Sequence, residues 1–214
     1  MSDVMRERPI LFSGPMVRAI LEGRKTQARR VVKWTGIDGL NLSFSGLSAS
    51  NIAGTRWALM SMGASCWQER GHADCPYGVP GDRLWVRETF YHMEGGPIRD
   101  AVGGVMDVME DEIVYRADGN RLLKWTPSIH MPRWASRITL ELTDVRVQRL
   151  QEISHHDALA EGVEYDVSRE DGAPLPRFRK LWDSINAKTH PWSSNPWVWV
   201  ISFKLANRED EGEQ

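Results

Sequence analysis

Three features of this 214-residue sequence predict an α+β fold, a small mixed β-barrel decorated by short helices. Runs of alternating apolar and polar residues recur along the chain. Stretches with helical periodicity are few and short. Turn signals such as Pro80-Gly81-Asp82 and Asp118-Gly119 break the sequence often.

The elements follow in order. Ser13 caps a first helix, Pro15 sits where its missing N–H costs nothing, and Met16, Ala19 and Ile20 form an apolar stripe. Gly23 is the stop, since glycine takes the left-handed backbone cheaply. The chain beyond it is expected to be extended, with Lys25, Gln27 and Arg29 on one face and Arg24, Thr26, Ala28 and Arg30 on the other. Residues 35–65 are rich in Gly and Ser, with no steady apolar period, and are expected to be a long loop or an irregular strand pair inserted into a smaller fold. Arg83 to Phe90 is a strand with Leu84, Val86, Glu88 and Phe90 on one side. Gly95 to Gly104 is loop-like, and Ile113 to Ala117 is a short strand. Arg137 to Thr143 alternates cleanly, and Val145, Val147 and Leu150 continue the rhythm after a bulge near Asp144. A short helix is framed by Ile153 and Ala158, capped by Ser154 with Asp157 as the capping-box acid, and ended by Gly162. Phe178, Leu181, Trp182 and Ile185 predict a third, amphipathic helix. A strand through Trp197, Trp199, Ile201, Phe203 and Leu205 closes a single domain over residues 1–206. Residues 207–214 are expected to be an acidic disordered tail.

Composition narrows the function classes. A net charge of −2 means that any basic footprint is local. Of the 27 basic residues, 21 are Arg, the planar bidentate donor suited to phosphate and carboxylate, although a GC-rich genome also raises Arg usage. No signal peptide or apolar span of about 20 residues is present, so a cytoplasmic protein without membrane contact is expected. Cys66 and Cys75 make no disulfide framework. With His72, and His130 as a fourth ligand, they offer zinc-capable groups at a spacing that matches no standard finger, and no metal or cofactor is expected.

The densest chemistry lies at Gly23-Arg24-Lys25-Thr26-Gln27-Ala28-Arg29-Arg30, four cations in eight residues with no carboxylate between Glu22 and Asp38. Such a segment suits an anionic ligand or a nucleic-acid backbone; it also suits a solvated strand edge that resists aggregation. Trp182, Trp197 and Trp199 sit at core periodicity. Trp125 and Trp134, bracketing a loop that carries His130 and Arg133, could stack a nucleobase or anchor the fold. Arg30, Arg87 and Arg133 are candidates for phosphate or base-edge contacts.

The helix followed by Gly23 to Arg30, together with Pro80 to Glu88, Ser128 to Arg137 and Asp157 to Gly162, resembles the ASCH domain of the PUA-like superfamily, in the longer form carried by phages and prophages. The resemblance implies a PUA-like barrel with a cationic cleft beside it. That cleft would bind RNA, DNA or a modified nucleoside through Gly23, Arg24, Thr26, Arg29, Arg30, Arg87, His130 and Arg133. Small bacterial members of the family hydrolyse the amide of N4-acetylcytidine with a Lys, a Thr three residues later and a distant Glu. By similarity these fall on Lys25, Ala28 and Glu161. Lys25 and Glu161 are then expected to meet across the cleft. Alanine at the Thr position lacks the hydroxyl nucleophile, so a water activated between Lys25 and Glu161 would have to attack. A threonine at position 28 is expected to bring that hydroxyl back beside Lys25.

Overall fold

The computed structural model describes residues 5–37, 42, 46–93, 96–99, 103–108, 112–120, 124–165 and 173–206. In chain order the strands and α-helices are β1 (Glu7–Leu11), α1 (Gly14–Leu21), β2 (Gln27–Val31), β3 (Leu47–Ala53), β4 (Arg56–Met62), β5 (Trp67–Asp74), β6 (Arg83–Arg87), β7 (Phe90–Met93), β8 (Gly96–Arg99), β9 (Val105–Val108), β10 (Glu112–Tyr115), β11 (Thr139–Arg149), α2 (His155–Ala160), α3 (Pro174–Asn186) and β12 (Trp197–Leu205). The class is α+β. Among the described residues the strands form open sheets, and no pairing closes one into a barrel. The expected acidic tail and part of the 35–65 segment lie outside the described residues.

The chain divides into two compact units interleaved along the sequence. The first comprises residues 1–23, 83–141 and 205–214. In it β1 runs parallel to β6, from Glu7 opposite Arg83 to Leu11 opposite Arg87, and β6 pairs antiparallel with the start of β11. Leu84, Val86, Glu88 and Phe90 are all buried, as their alternation predicts. Phe90 packs with Met131 and Ala135, against Ile113 and Tyr115. The segment expected to be a loop after Gly95 contains a hairpin, β8 with β9.

The second unit comprises residues 24–82 and 142–204. Here β2 pairs antiparallel with β12, from Val31 opposite Val198 to Gln27 opposite Ser202. One face of this pair packs Val198 and Val200 against Leu150, Ile153, Ala158, Phe178 and Trp182 of the helical segments. On the other face the Trp199 ring meets Trp57 of β4 edge-on at 6.1 Å. Both faces of β12 are therefore covered, where alternation alone predicted one. Ile185 is a correction in the other direction: it shares the helical stripe of Phe178 and Trp182 yet is 61% exposed. The expected bulge near Asp144 shows as a lapse in alternation within an unbroken strand, with Thr143 and Asp144 both exposed.

Of the two readings open for the Gly/Ser-rich segment, the irregular strand pair is the one found: β3 and β4 pair antiparallel with a register shift between Asn51 and Ala53, and a third strand beyond residue 65 joins them. The resulting sheet β3-β4-β5 reaches to Asp74. Gly71 makes this possible. Thr35 exchanges both main-chain hydrogen bonds with His72, which brings the Thr35 carbonyl hard against β5. A Cβ on residue 71 would come within 2.8 Å of that oxygen and 2.4 Å of Ile37 Cγ2. We expect Gly71→Ala to lower the unfolding free energy by about 1–3 kcal/mol, as overpacking does. Gly14→Ala, whose nearest neighbour would be at 3.8 Å, should leave it unchanged or slightly raised. Urea denaturation of the two variants checks this.

Candidate functional site

Two short-range devices deliver the site. After α1 the chain reverses at Gly23, whose φ of 72° lets its N–H reach the Ile20 carbonyl. Within the second unit, α2 begins with a full capping box: Ser154 Oγ accepts from the Asp157 N–H at 3.0 Å, and the Asp157 carboxylate accepts from the Ser154 N–H. Glu161 is the C-cap of α2, followed by Gly162 at a φ of 85°. The approach to β2 then lies along this helix end. Lys25 bridges Glu161, and the Thr26 N–H donates to the Ala160 carbonyl at 2.8 Å.

Lys25 and Glu161, 136 residues apart, are in direct contact and buried, at 2% and 5% exposure. Lys25 Nζ donates to Glu161 Oε2 at 2.8 Å, to the Glu161 carbonyl at 2.9 Å and to the Gln27 carbonyl at 2.7 Å. Arg29 Nη1 donates to Glu161 Oε1 at 3.1 Å and to Gln27 Oε1 at 2.7 Å, and its Nη2 donates to Asp157 Oδ2 at 3.1 Å. Arg146 extends the cluster, joining Asp157 at 3.3 Å and Asp144 at 3.0 Å. Three cations thus face three carboxylates. Burial pulls Lys25 and Arg29 below their ordinary pKa values, and Glu161 pulls both back up. Burial works to raise Asp157, but Arg29 and Arg146 outweigh it and hold its carboxyl low. Only the protonated amine has three N–H bonds, so serving three acceptors keeps Lys25 an ammonium. Arg29 Nε is buried without an acceptor among the described residues.

Strand alternation separates the remaining candidates, as the sequence predicts. Gln27 and Arg29 share the Glu161 face, while Ala28 lies on the opposite face, fully buried and paired with Ile201. Two expectations are therefore corrected. Lys25, Arg29 and Arg30 do not line one electropositive cleft, because the first two are buried and neutralised. A hydroxyl at position 28 would point away from the Lys25–Glu161 pair. Arg30, half-buried, lies beside the Tyr77 hydroxyl. Arg24 and Thr26 are exposed, and Arg24 donates to the Gly162 carbonyl at 3.2 Å.

Arg87, His130 and Arg133 belong to the first unit. Arg87 donates to the Met131 carbonyl at 3.0 Å and lies over the Trp85 ring at 5.0 Å. Arg133 holds Glu7 through two hydrogen bonds, and His130 is exposed. Cys66 is exposed and Cys75 buried, and among the described residues no three His, Cys, Asp or Glu side chains converge on a possible metal position.

Sequence reasoning missed Arg146 and read Asp157 only as a cap. Its spacing of four from Glu161, on one helix face, was the available signal for Asp157. Arg146 carries none. No family model, no curated protein and no solved structure matches this chain.

Removing Glu161 takes a carboxylate from both Lys25 and Arg29, of which Arg29 keeps Asp157, whereas removing Lys25 leaves Glu161 paired with Arg29. Glu161→Ala should therefore cost about 3–5 kcal/mol of stability, and Lys25→Met distinctly less. Chemical denaturation of both variants, with unchanged m-values, is the measurement.

Proposed function

We propose that this chain is an ASCH-type domain that binds RNA or a modified nucleoside without turning it over. The observation that carries the reading is the meeting of its two motif segments: the Gly-x-Lys-x-x-x-x-Arg stretch and the Ala-Glu-Gly helix end come together through Lys25 and Glu161. In this reading the clasp is a scaffold. It sets the position of the solvent-reaching cations on either side of it, Arg24 and Arg30, which offer bidentate donors to phosphate or a base edge. Arg30→Ala should weaken binding of a fluorescein-labelled RNA oligonucleotide, and affinity should fall linearly with log salt, since each phosphate contact releases counterions. Affinity indifferent to both, measured by anisotropy, overturns the reading.

The second reading, an amidohydrolase acting on N4-acetylcytidine, is favoured by the Lys25–Glu161 contact itself. It is disfavoured by the coordination of Lys25, whose ammonium has no lone pair with which to accept a proton. Position 28 offers no remedy on the wrong face of β2. We expect neither the natural chain nor Ala28→Thr to release acetate from N4-acetylcytidine. Chromatography of the products decides, and turnover by either protein would establish the catalytic reading.

A further inference from the structure

The sheet β3-β4-β5 of the second unit ends in two outer strands that differ in kind. On the β5 side Thr35 exchanges main-chain hydrogen bonds with His72, and Glu69 and Arg70 stand exposed on the remainder of the strand. On the other side β3 is open. Leu47–Ala53 bond to β4 along one edge, and among the described residues their main-chain groups have no partner along the other. Every second residue of an antiparallel strand turns its N–H and C=O outward, so this edge is a row of donors and acceptors. Ser48, Ser50, Asn51, Ile52 and Ala53 are all exposed.

Outer strands are ordinarily blunted against pairing with another chain. Here β1 carries Glu7, Arg8 and Pro9, and β2 carries Arg29 and Arg30. Nothing of the sort protects β3. From Gly39 to Thr55 the sequence contains neither a charged residue nor a proline.

An open edge is covered by a strand, because only a strand presents donors and acceptors at the same spacing. Side chains and symmetry identify that strand. An uncharged edge gives a charged segment nothing to select, and Ser48, Ala49 and Ser50 are small enough for two backbones to approach without a clash on either face. Ser50 is the midpoint of the seven residues of β3. Antiparallel pairing of β3 with a copy of itself, centred there, overlaps the whole strand and sets Ser48 opposite Ile52 and Ala49 opposite Asn51. It also covers Ile52, which lies at the register shift with β4 and is 49% exposed. A two-fold contact of this kind needs no second surface. With β5 guarded, it joins open edge to open edge and closes at two copies instead of running on into a fibre.

We propose that β3 is the dimerisation edge of this protein: two copies pair antiparallel through Leu47–Ala53 about a two-fold axis at Ser50, joining two three-stranded sheets into one. A strand pair of this length lies below the ~1,200 Å² of standard interfaces, so the association is weak and concentration-dependent.

Sedimentation velocity of the full chain, from roughly 1 μM to 1 mM, should show a monomer passing into a dimer. Ser50→Lys and Ser50→Glu each set like charges opposite one another at the axis, and each should raise the dissociation constant by roughly fivefold. An equimolar mixture of the two variants should regain the affinity of the natural chain, since opposite charges then face each other; a variant that had failed to fold could not do so. A natural chain that stays monomeric throughout overturns the proposal, and leaves the edge to a strand of some other protein. A dimer indifferent to both substitutions places the contact elsewhere and overturns it too. So does a mixture that associates no better than either variant alone.

Discussion

A buried carboxylate shared by two cations is the constraint on which the second unit depends. Glu161 gives one oxygen to Lys25 and the other to Arg29, and both cations arrive on one short segment while the carboxylate arrives 136 residues later. Taking such charges out of water costs several kcal/mol per ion, and only near-complete hydrogen bonding offsets that cost. The local structure supplies it from main-chain atoms as much as from side chains. The Gln27 and Glu161 carbonyls complete Lys25, and the Gln27 side chain adds an acceptor for Arg29, whose Nε alone stays without one among the described residues. Asp157 adds a second coupling, because the carboxylate that caps α2 also holds Arg29. The start of the helix and the register of the strand are thereby specified by one group.

The first unit repeats the strategy with different geometry. Glu88 is buried and grips Arg137 through two hydrogen bonds, at 2.9 and 3.2 Å, while Asp118 grips the same guanidinium at 2.7 and 2.8 Å. The Tyr115 ring lies 3.9 Å beneath it. Burial raises the Glu88 pKa, against the pull of Arg137. On Arg137 burial acts to lower the pKa, but the hydrogen bonds to Asp118 and Glu88 outweigh it and raise it. A planar guanidinium can be paired on its edge and stacked on its face at once, which an ammonium cannot. The abundance of Arg over Lys thus has an internal use. Arg29, Arg137 and Arg146 each join two carboxylates and Arg133 holds one, so composition alone overstated the surface available to an anionic ligand.

Legibility in the sequence followed the range of the interaction concerned. Helix ends were readable because a cap is completed within a few residues, as Ser154 with Asp157 and the glycines at 23 and 162 show. The two faces of β2 were readable for the same reason, since alternation is a local rule. What each face meets was not. Whether Lys25 and Arg29 end in solvent or in a buried cluster depends on carboxylates more than 120 residues away, and the fold resemblance alone linked Lys25 to Glu161. Of the sheet β3-β4-β5 only an irregular strand pair was legible, because its buried residues, Leu47, the run Trp57-Ala58-Leu59 and Ala73, follow no two-residue period. Ile185 erred the other way: a helical stripe predicts a face, but the stripe of α3 runs past the end of the surface it packs on.

The same coordination that makes the clasp stable decides what chemistry the Lys25–Glu161 pair can perform. General acid–base work needs a group with one site open, a lone pair to take a proton or a proton not already engaged. Here the three ammonium protons have three acceptors and both carboxylate oxygens have donors, so a proton moves only if a partner is first released. Releasing one leaves a buried charge under-solvated, which raises the barrier by the same interactions that hold the fold. Arg24 and Arg30 flank the pair and hold main-chain carbonyls, Arg24 that of Gly162 and Arg30 that of Arg29. Catalysis within the clasp would therefore require the protein to undo the contact that organises its own second unit.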